Sequence, residues 1–260
     1  MSKFSSAILG APQDLFLTAT VQGADYGSTM TTGDGRYFRY GLVGATALVP
    51  GTLLQGPARI ANHLQLSPTA AVAATTTSTG AAQLSGVGPL PTVTVTLGAT
   101  AATANYYAGG VLSVTLDAGT GGVPGYQYQI GYHPAALSSG TLTLTLTDQI
   151  QNLITTSAKI DLIPNPNNGV IIYPTTGTGA VAGTAINAAA AATYCWVQVC
   201  GIASVLNDAG GAITVGNAVV PSTTVAGAVK SATGTLPVIG TAVAAITASQ
   251  NGTVKLDAIE

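Results

Sequence analysis

Strict two-residue alternation constrains this chain more than any other feature. The runs Thr92-Val93-Thr94-Val95-Thr96-Leu97 and TLTLTLT over 141–147 repeat with a period of two. Successive side chains of a strand point to opposite faces, so such runs read as half-buried strands with one apolar and one hydroxylated face. Residues 111–116 and 126–130 read as two further strands around the glycine-rich turn 119–125. Residues 158–163 and 170–173 flank a turn that ends in Asn168-Gly169. Asn251-Gly252, between 244–248 and 253–256, is the strongest hairpin signal, because both residues tolerate positive φ.

Helical signals are few. Thr147-Asp148 predicts the cap of a short helix carrying Ile150, Leu153 and Ile154 on one face. The alanine-rich stretch 184–192 is compatible with helix, strand or loop. Residues 67–91 are Ala, Thr, Ser and Gly without charge, which reads as a linker or long surface loop. The first twenty residues read as an extended arm. The expected fold is therefore mainly β, with few short helices. It divides into an N-terminal arm (1–20), a β domain (21–175, carrying the 67–91 loop) and a C-terminal β domain (176–260).

Charge bears on function. Only 16 of 260 residues are charged, 7 Lys or Arg and 9 Asp or Glu, and the single Glu is Glu260. That is about a quarter of the usual share. Acids, bases and charge clamps are scarce, which argues against an enzyme. So weakly charged a surface repels its neighbours little and suits a packed assembly. The net charge of −2 points to neither nucleic acid nor an acidic membrane. The mean hydropathy of +0.46 does not imply a membrane span, because the longest uncharged stretches are broken by Thr, Asn, Gln, Gly and Pro. The apolar patch Ala7-Ile8-Leu9 is too short for a secretory leader.

The motifs that could carry chemistry each have a plainer reading. Val170–Tyr173 followed by Gly177-Thr178-Gly179 and Gly183 imitates a dinucleotide loop, but its third glycine is late and no ribose acid follows at the required spacing. A glycine-rich turn between strands explains it. His63 and His133 lack local acid partners and read as surface or hydrogen-bonded residues. Asp25 and Asp34 lack calcium-loop spacing. Cys195 and Cys200, five apart on one strand, face opposite ways and read as buried thiols. Arg36 and Arg39 among Tyr37, Phe38 and Tyr40 read as a strand edge or protein contact. No metal, cofactor or catalytic set is expected.

A faint internal repeat is present. Tyr37 to Gly44 and Tyr194 to Gly201 share a spacing of seven, and Gly51-Thr52-Leu53-Leu54 parallels Gly216-Asn217-Ala218-Val219. Ile130-Gly131 through Gly140-Thr141-Leu142 parallels Ile239-Gly240 through Gly252-Thr253-Val254.

The segments 34–55, 194–201, 215–222 and 237–256 resemble tailed-phage virion proteins and are similar to small β-rich head-decoration proteins of the lambda type. That resemblance implies two small β-sandwich or β-barrel-like (β-tulip-like) units with an extended N-terminal arm. It also implies a place on the capsid surface, made in the host cytoplasm, as homotrimers bound to the major capsid protein. On this reading Phe4, Leu15, Phe16, Arg36 and Arg39 are capsid or subunit contacts. Gly44, Gly201, Asn251 and Gly252 are structural turn positions. A head fibre, a tail component and a carbohydrate-binding adhesin are the alternatives.

Overall fold

The computed structural model describes residues 8–74 and 90–257. The chain divides into two compact units: an insert, Arg59–Asn165, and a discontinuous unit made of residues 8–58 and 166–257. This division runs differently from the linear one expected above. The chain leaves the discontinuous unit after Ala58 and returns at Pro166, so residues 21–175 belong to both units.

The fold is mainly β. Before the insert come β1 (Ile8–Leu9), β2 (Thr29–Thr31), β3 (Tyr37–Val43) and β4 (Leu53–Gln55). The insert holds β5 (Thr92–Thr96), β6 (Val111–Leu116), β7 (Gln127–Tyr132), β8 (Thr141–Leu146) and β9 (Lys159–Ile163). After it follow β10 (Asn168–Ile172), β11 (Val181–Ala185), β12 (Tyr194–Leu206), β13 (Ala218–Pro221), β14 (Val229–Ser231), β15 (Gly240–Ala242) and β16 (Asn251–Leu256). Helical geometry among the described residues is limited to the 3-10 turns Pro12–Phe16 and Ala61–His63.

In the discontinuous unit β3, β10, β4, β11 and β12 close into a five-stranded barrel, in that order and back to β3. Only the β3–β10 pair is parallel. Val43, Leu54, Val170, Ala182, Cys195 and Val197 fill its interior. The C-terminal half repeats the wiring. β12 pairs with β16, β16 with β15, β15 with β13 and β13 with β14, all antiparallel. A single parallel bridge, Asn207 to Val229, closes that ring. Taken in chain order, the five strands of the second ring have the same neighbours as the five of the first. Strand β12, 13 residues long, is the last strand of one ring through Cys200 and the first strand of the next from Gly201.

The strand wiring thus repeats, but the repeat expected from sequence, with Gly44 matched to Gly201, is not the one observed. Tyr37–Val43 and Tyr194–Cys200 are not equivalent; they are antiparallel partners, with Leu42 opposite Tyr194 and Tyr37 opposite Cys200. Because β12 serves both rings, the counterpart of β3 starts at Gly201. The match of Gly51 with Gly216 holds. Each lies three residues after a bridge residue, Leu48 or Ile213, and has φ near +80°, at 78° and 82°. Ala192 (φ 58°) and Ser249 (φ 60°) occupy the same place after Ala189 and Ile246. In all four turns the next residue's N–H closes on the carbonyl three residues back, as in a type II turn.

The insert is built on the same plan. The pairs β5–β8, β8–β7 and β7–β6 are antiparallel, as are their counterparts in the two rings. Ala102 and Ala136 form its bridge, with Asn105 (φ 59°) and Ser139 (φ 55°) three residues on. It departs from the plan at the next position, where β9 pairs with β6 but comes last in the chain. The alternation read from sequence is clean here: Val93, Val95, Leu142 and Leu144 point into the core. Thr94 and Thr143 face each other outside, with their hydroxyls 3.2 Å apart. Each such apolar side chain is worth about 1.5–3 kcal/mol when fully buried.

Three local expectations are corrected, and one left open is settled. Residues 147–154 are not helical: Asp148 accepts the Gln129 N–H at 2.5 Å instead of capping a helix. Ile150 and Ile154 still reach the core from extended chain. Asn251-Gly252 is not the hairpin turn, because both begin β16 and the turn is at Ala248-Ser249. Gly252 is instead required by packing, since a Cβ there would collide with Ile246. Asn168-Gly169 likewise opens β10. The stretch 184–192 enters β11 and then the Ala189 bridge, with no helix. Of the 67–91 loop, residues 75–89 lie outside the described residues; Pro68 and Val72 bridge to Val95 and Ile154.

Candidate interaction surface

The N-terminal segment folds onto its own barrel, which corrects the expected extended arm over the described part. β1 pairs parallel with β2, and β2 pairs antiparallel with β3. Asp14 shapes the Pro12–Phe16 turn by accepting the Ala11 N–H at 2.9 Å. That turn drives Leu15 into a pocket with Met30 and Phe38, against Ile186 and Trp196. Ala19 and Tyr194 then exchange backbone hydrogen bonds at 2.7 and 3.0 Å. Leu15, 1% exposed, is thus an internal anchor and not a contact residue.

The same segment leaves large apolar side chains in solvent. Phe16 is 61% exposed, Leu17 63%, Val21 76% and Leu9 78%. Ile8 is exposed as well. Asn187 donates to the Phe16 carbonyl at 3.0 Å and fixes the backbone there. β1 is the terminal strand of its sheet, so its outer edge has no strand partner among the described residues. Phe4 lies outside the described residues.

The two arginines are engaged internally. Arg36 pairs with Asp34 at 2.7 Å and sits 5.6 Å from the Phe38 ring centroid. The Arg36 hydrogen bond, with one from Thr32, holds the Asp34 carboxyl well below the usual carboxylate range. Arg39 donates to the Gly27 carbonyl at 3.4 Å. Beside them Tyr26, Tyr194 and Tyr40 stack in series, at 6.3 and 5.7 Å, and Trp196 meets Tyr40 edge-on at 5.1 Å. Burial, then hydrogen bonding with Tyr194, raises the Tyr26 phenol above its ordinary value.

Gly44 and Gly201 are places of close backbone passage. A Cβ at Gly44 would lie 3.1 Å from the Gly169 carbonyl, and one at Gly201 would lie 2.6 Å from the Gly35 carbonyl. Only Gly201 also has positive φ, at 87°.

Sequence reasoning missed a buried polar cluster in the insert. His63 and His133 flank Tyr107, and all three are buried. The partners lie 44 and 26 residues apart, so no local pattern announces them. The glycine loop after β10 joins two strands and opens no helix, which removes the helix N-terminus a dinucleotide site needs. Among the described residues no group of three His, Cys, Asp or Glu is placed to hold a metal, and no helix is long and apolar enough to cross a membrane. No family model, no curated protein and no solved structure matches this chain.

Proposed function

We propose that this chain is a structural virion protein that decorates a phage capsid by binding the major capsid protein lattice. One observation carries the reading: Leu9, Phe16, Leu17 and Val21 are held in solvent on a segment whose backbone is pinned to a β-barrel. Exposed apolar groups on an ordered, nearly uncharged surface are what a permanent interface requires. The outer edge of β1, unpaired among the described residues, adds backbone groups for strand addition by a partner. The barrels are read as the β-tulip-like units of the decoration proteins that the sequence resembles. Assembly as a homotrimer would cover the same apolar residues, and no catalytic role is proposed.

The test is the protein's copy number in purified particles. A number near that of the major capsid protein supports decoration. A few copies per particle select a fibre or tail component, and absence from particles rejects both. Phe16→Asp with Leu17→Asp should weaken particle binding at least tenfold while leaving thermal unfolding unchanged. The partly exposed Tyr26–Tyr194 stack favours an adhesin as the second reading, which saturable binding to a glycan array would select.

A further inference from the structure

The insert and the two rings share the paired-turn plan, but they plug the turn end differently. Ile213 faces Ile246 in the second ring, and Leu48 faces Ala189 in the first. The insert has only Ala102 and Ala136 at the bridge. Next to that bridge stand His63, Tyr107 and His133, with Tyr107 5.8 Å from one imidazole and 5.6 Å from the other, centroid to centroid.

Three of the four ring nitrogens have a partner that settles their role. His63 Nε2 lies 2.7 Å from the Thr100 carbonyl, which can only accept, so Nε2 carries the proton. His63 Nδ1 lies 2.5 Å from the Tyr107 hydroxyl, which can donate to it or accept from it. His133 Nδ1 lies 2.8 Å from the Pro134 carbonyl and is the donor. His133 Nε2 therefore accepts the Tyr107 backbone N–H at 3.0 Å. Asn105 and His133 add a reciprocal pair: the His133 N–H donates to Asn105 Oδ1 and the Asn105 N–H to the His133 carbonyl, both at 3.1 Å. The His133 contacts work only with its imidazole neutral, because the Tyr107 amide facing Nε2 can only donate.

We infer that this cluster is an acid-released latch, which holds the loop between β5 and β6 closed at neutral pH and frees it when His133 takes a proton. A proton on Nε2 would face the Tyr107 N–H donor, and among the described residues no carboxylate acts on the buried charge. The ionisable groups that face His133 are Tyr107 and, beyond it, His63; Tyr106 packs edge-on against Tyr107 at 5.0 Å. Carbonyls, a phenol and an amide take all four ring nitrogens, so no carboxylate is bonded to either imidazole to stabilise the cation. Burial lowers the His133 basicity, the neighbouring His63 lowers it further, and the Pro134 carbonyl opposes this only in part.

The sign follows from linkage. A histidine kept neutral when closed and free to protonate when open makes opening easier as pH falls below about 6.5, by about tenfold per pH unit for one proton.

Amide hydrogen exchange of the intact chain tests this, with rates corrected for intrinsic pH dependence. The opening constants read at Tyr107, Ala108 and Gly110 should rise about tenfold per unit between pH 6 and the point where His133 titrates when closed. Those at Ile213 and Ile246, the bridge of the second ring, which has no histidine, should stay flat. His133→Gln places an uncharged acceptor near the Nε2 position and should abolish the slope, while Tyr107→Phe should keep it. A flat profile in the native chain, or an undiminished slope in His133→Gln, overturns the latch. Imidazole NMR on the native chain decides independently of any variant. His133 should stay the neutral Nδ1–H tautomer as long as the Tyr107 amide is protected, and protonation with that amide still protected overturns the proposal.

Discussion

Ile213 and Ile246 donate to each other, each backbone N–H reaching the other's carbonyl at 2.9 Å. Both side chains are buried in the second ring. One pair of residues thus joins two turns by their backbones and fills the core at that end of the second ring with their side chains. Ile213→Ala and Ile246→Ala should each cost about 2–4 kcal/mol in urea unfolding. The double variant should depart from the sum by more than about 0.5 kcal/mol, because the residues share one contact.

The recurring turn allows the chain to act as its own reference. Gly51 and Gly216 fill the positive-φ position in two turns, and Ala192 and Ser249 fill it in two others. A side chain there costs about 1 kcal/mol or more. Ala192→Gly and Ser249→Gly should therefore raise the melting temperature. Gly216→Ala, which meets no atom within 4 Å, should lower stability by strain alone. Equal melting temperatures across the set would contradict this account.

Asp117 shows how a buried carboxylate is kept charged. Burial pushes its pKa up, but the Thr155 hydroxyl and N–H and the Gly119 N–H outweigh that and hold it below the usual carboxylate range. The Thr155 N–H lies 2.9 Å from Oδ2, and the Gly119 N–H lies 3.1 Å from Oδ1. A lowered folded-state value means stabilisation that is complete above about pH 4 and lost as pH falls through the folded-state value. Asp117→Asn should be less stable than the native chain at pH 7. The gap should close in acid, read by urea titration at each pH.

The two thiols should separate by reactivity. Cys195 is buried inside the first barrel, and burial pushes its thiol up to about 11. Cys200 is only partly covered. A water-soluble disulfide reagent at pH 8 should label Cys200 in the folded protein, and Cys195 only on unfolding. Labelling of both at the same rate would contradict this placement.

The insert occupies one loop of the first barrel, between β4 and β10. The corresponding loop in the second ring, between β13 and β14, is the short stretch 222–228. The two ends of the insertion lie together, since a Cβ on Gly56 would come 2.6 Å from the Pro166 carbonyl. Replacing residues 59–165 with a loop of similar length to 222–228 should leave a folded two-ring protein. A strand-type circular dichroism spectrum and one cooperative melt would show it.

What was legible in the sequence was what local chemistry decides. Strands such as β5, β6 and β8 were legible because alternation is itself the signal of a half-buried strand. The Gly51–Gly216 match was legible because positive φ selects glycine. The Tyr37–Tyr194 alignment failed because an unbroken strand that serves two rings has no boundary to read at Gly201. Asn251-Gly252 misled because Ser249 takes the positive-φ place two residues earlier, and Gly252 answers to Ile246 across the turn. The exposure of Phe16 beside a buried Leu15 follows from the turn set by Asp14, and neither composition nor period encodes it. His63, Tyr107 and His133 come together only when segments far apart in the chain fold against one another in the insert.

The continuity of β12 has a mechanical consequence. Force entering one ring need not cross a linker to reach the other, because a single covalent backbone runs through both ladders. Pulling along that strand loads its cross-strand hydrogen bonds in parallel, as shear, so they must yield together and not one after another. The tandem rings should then resist tension as one stiff unit, with the positive φ of Gly201 marking where the strand departs from extended geometry.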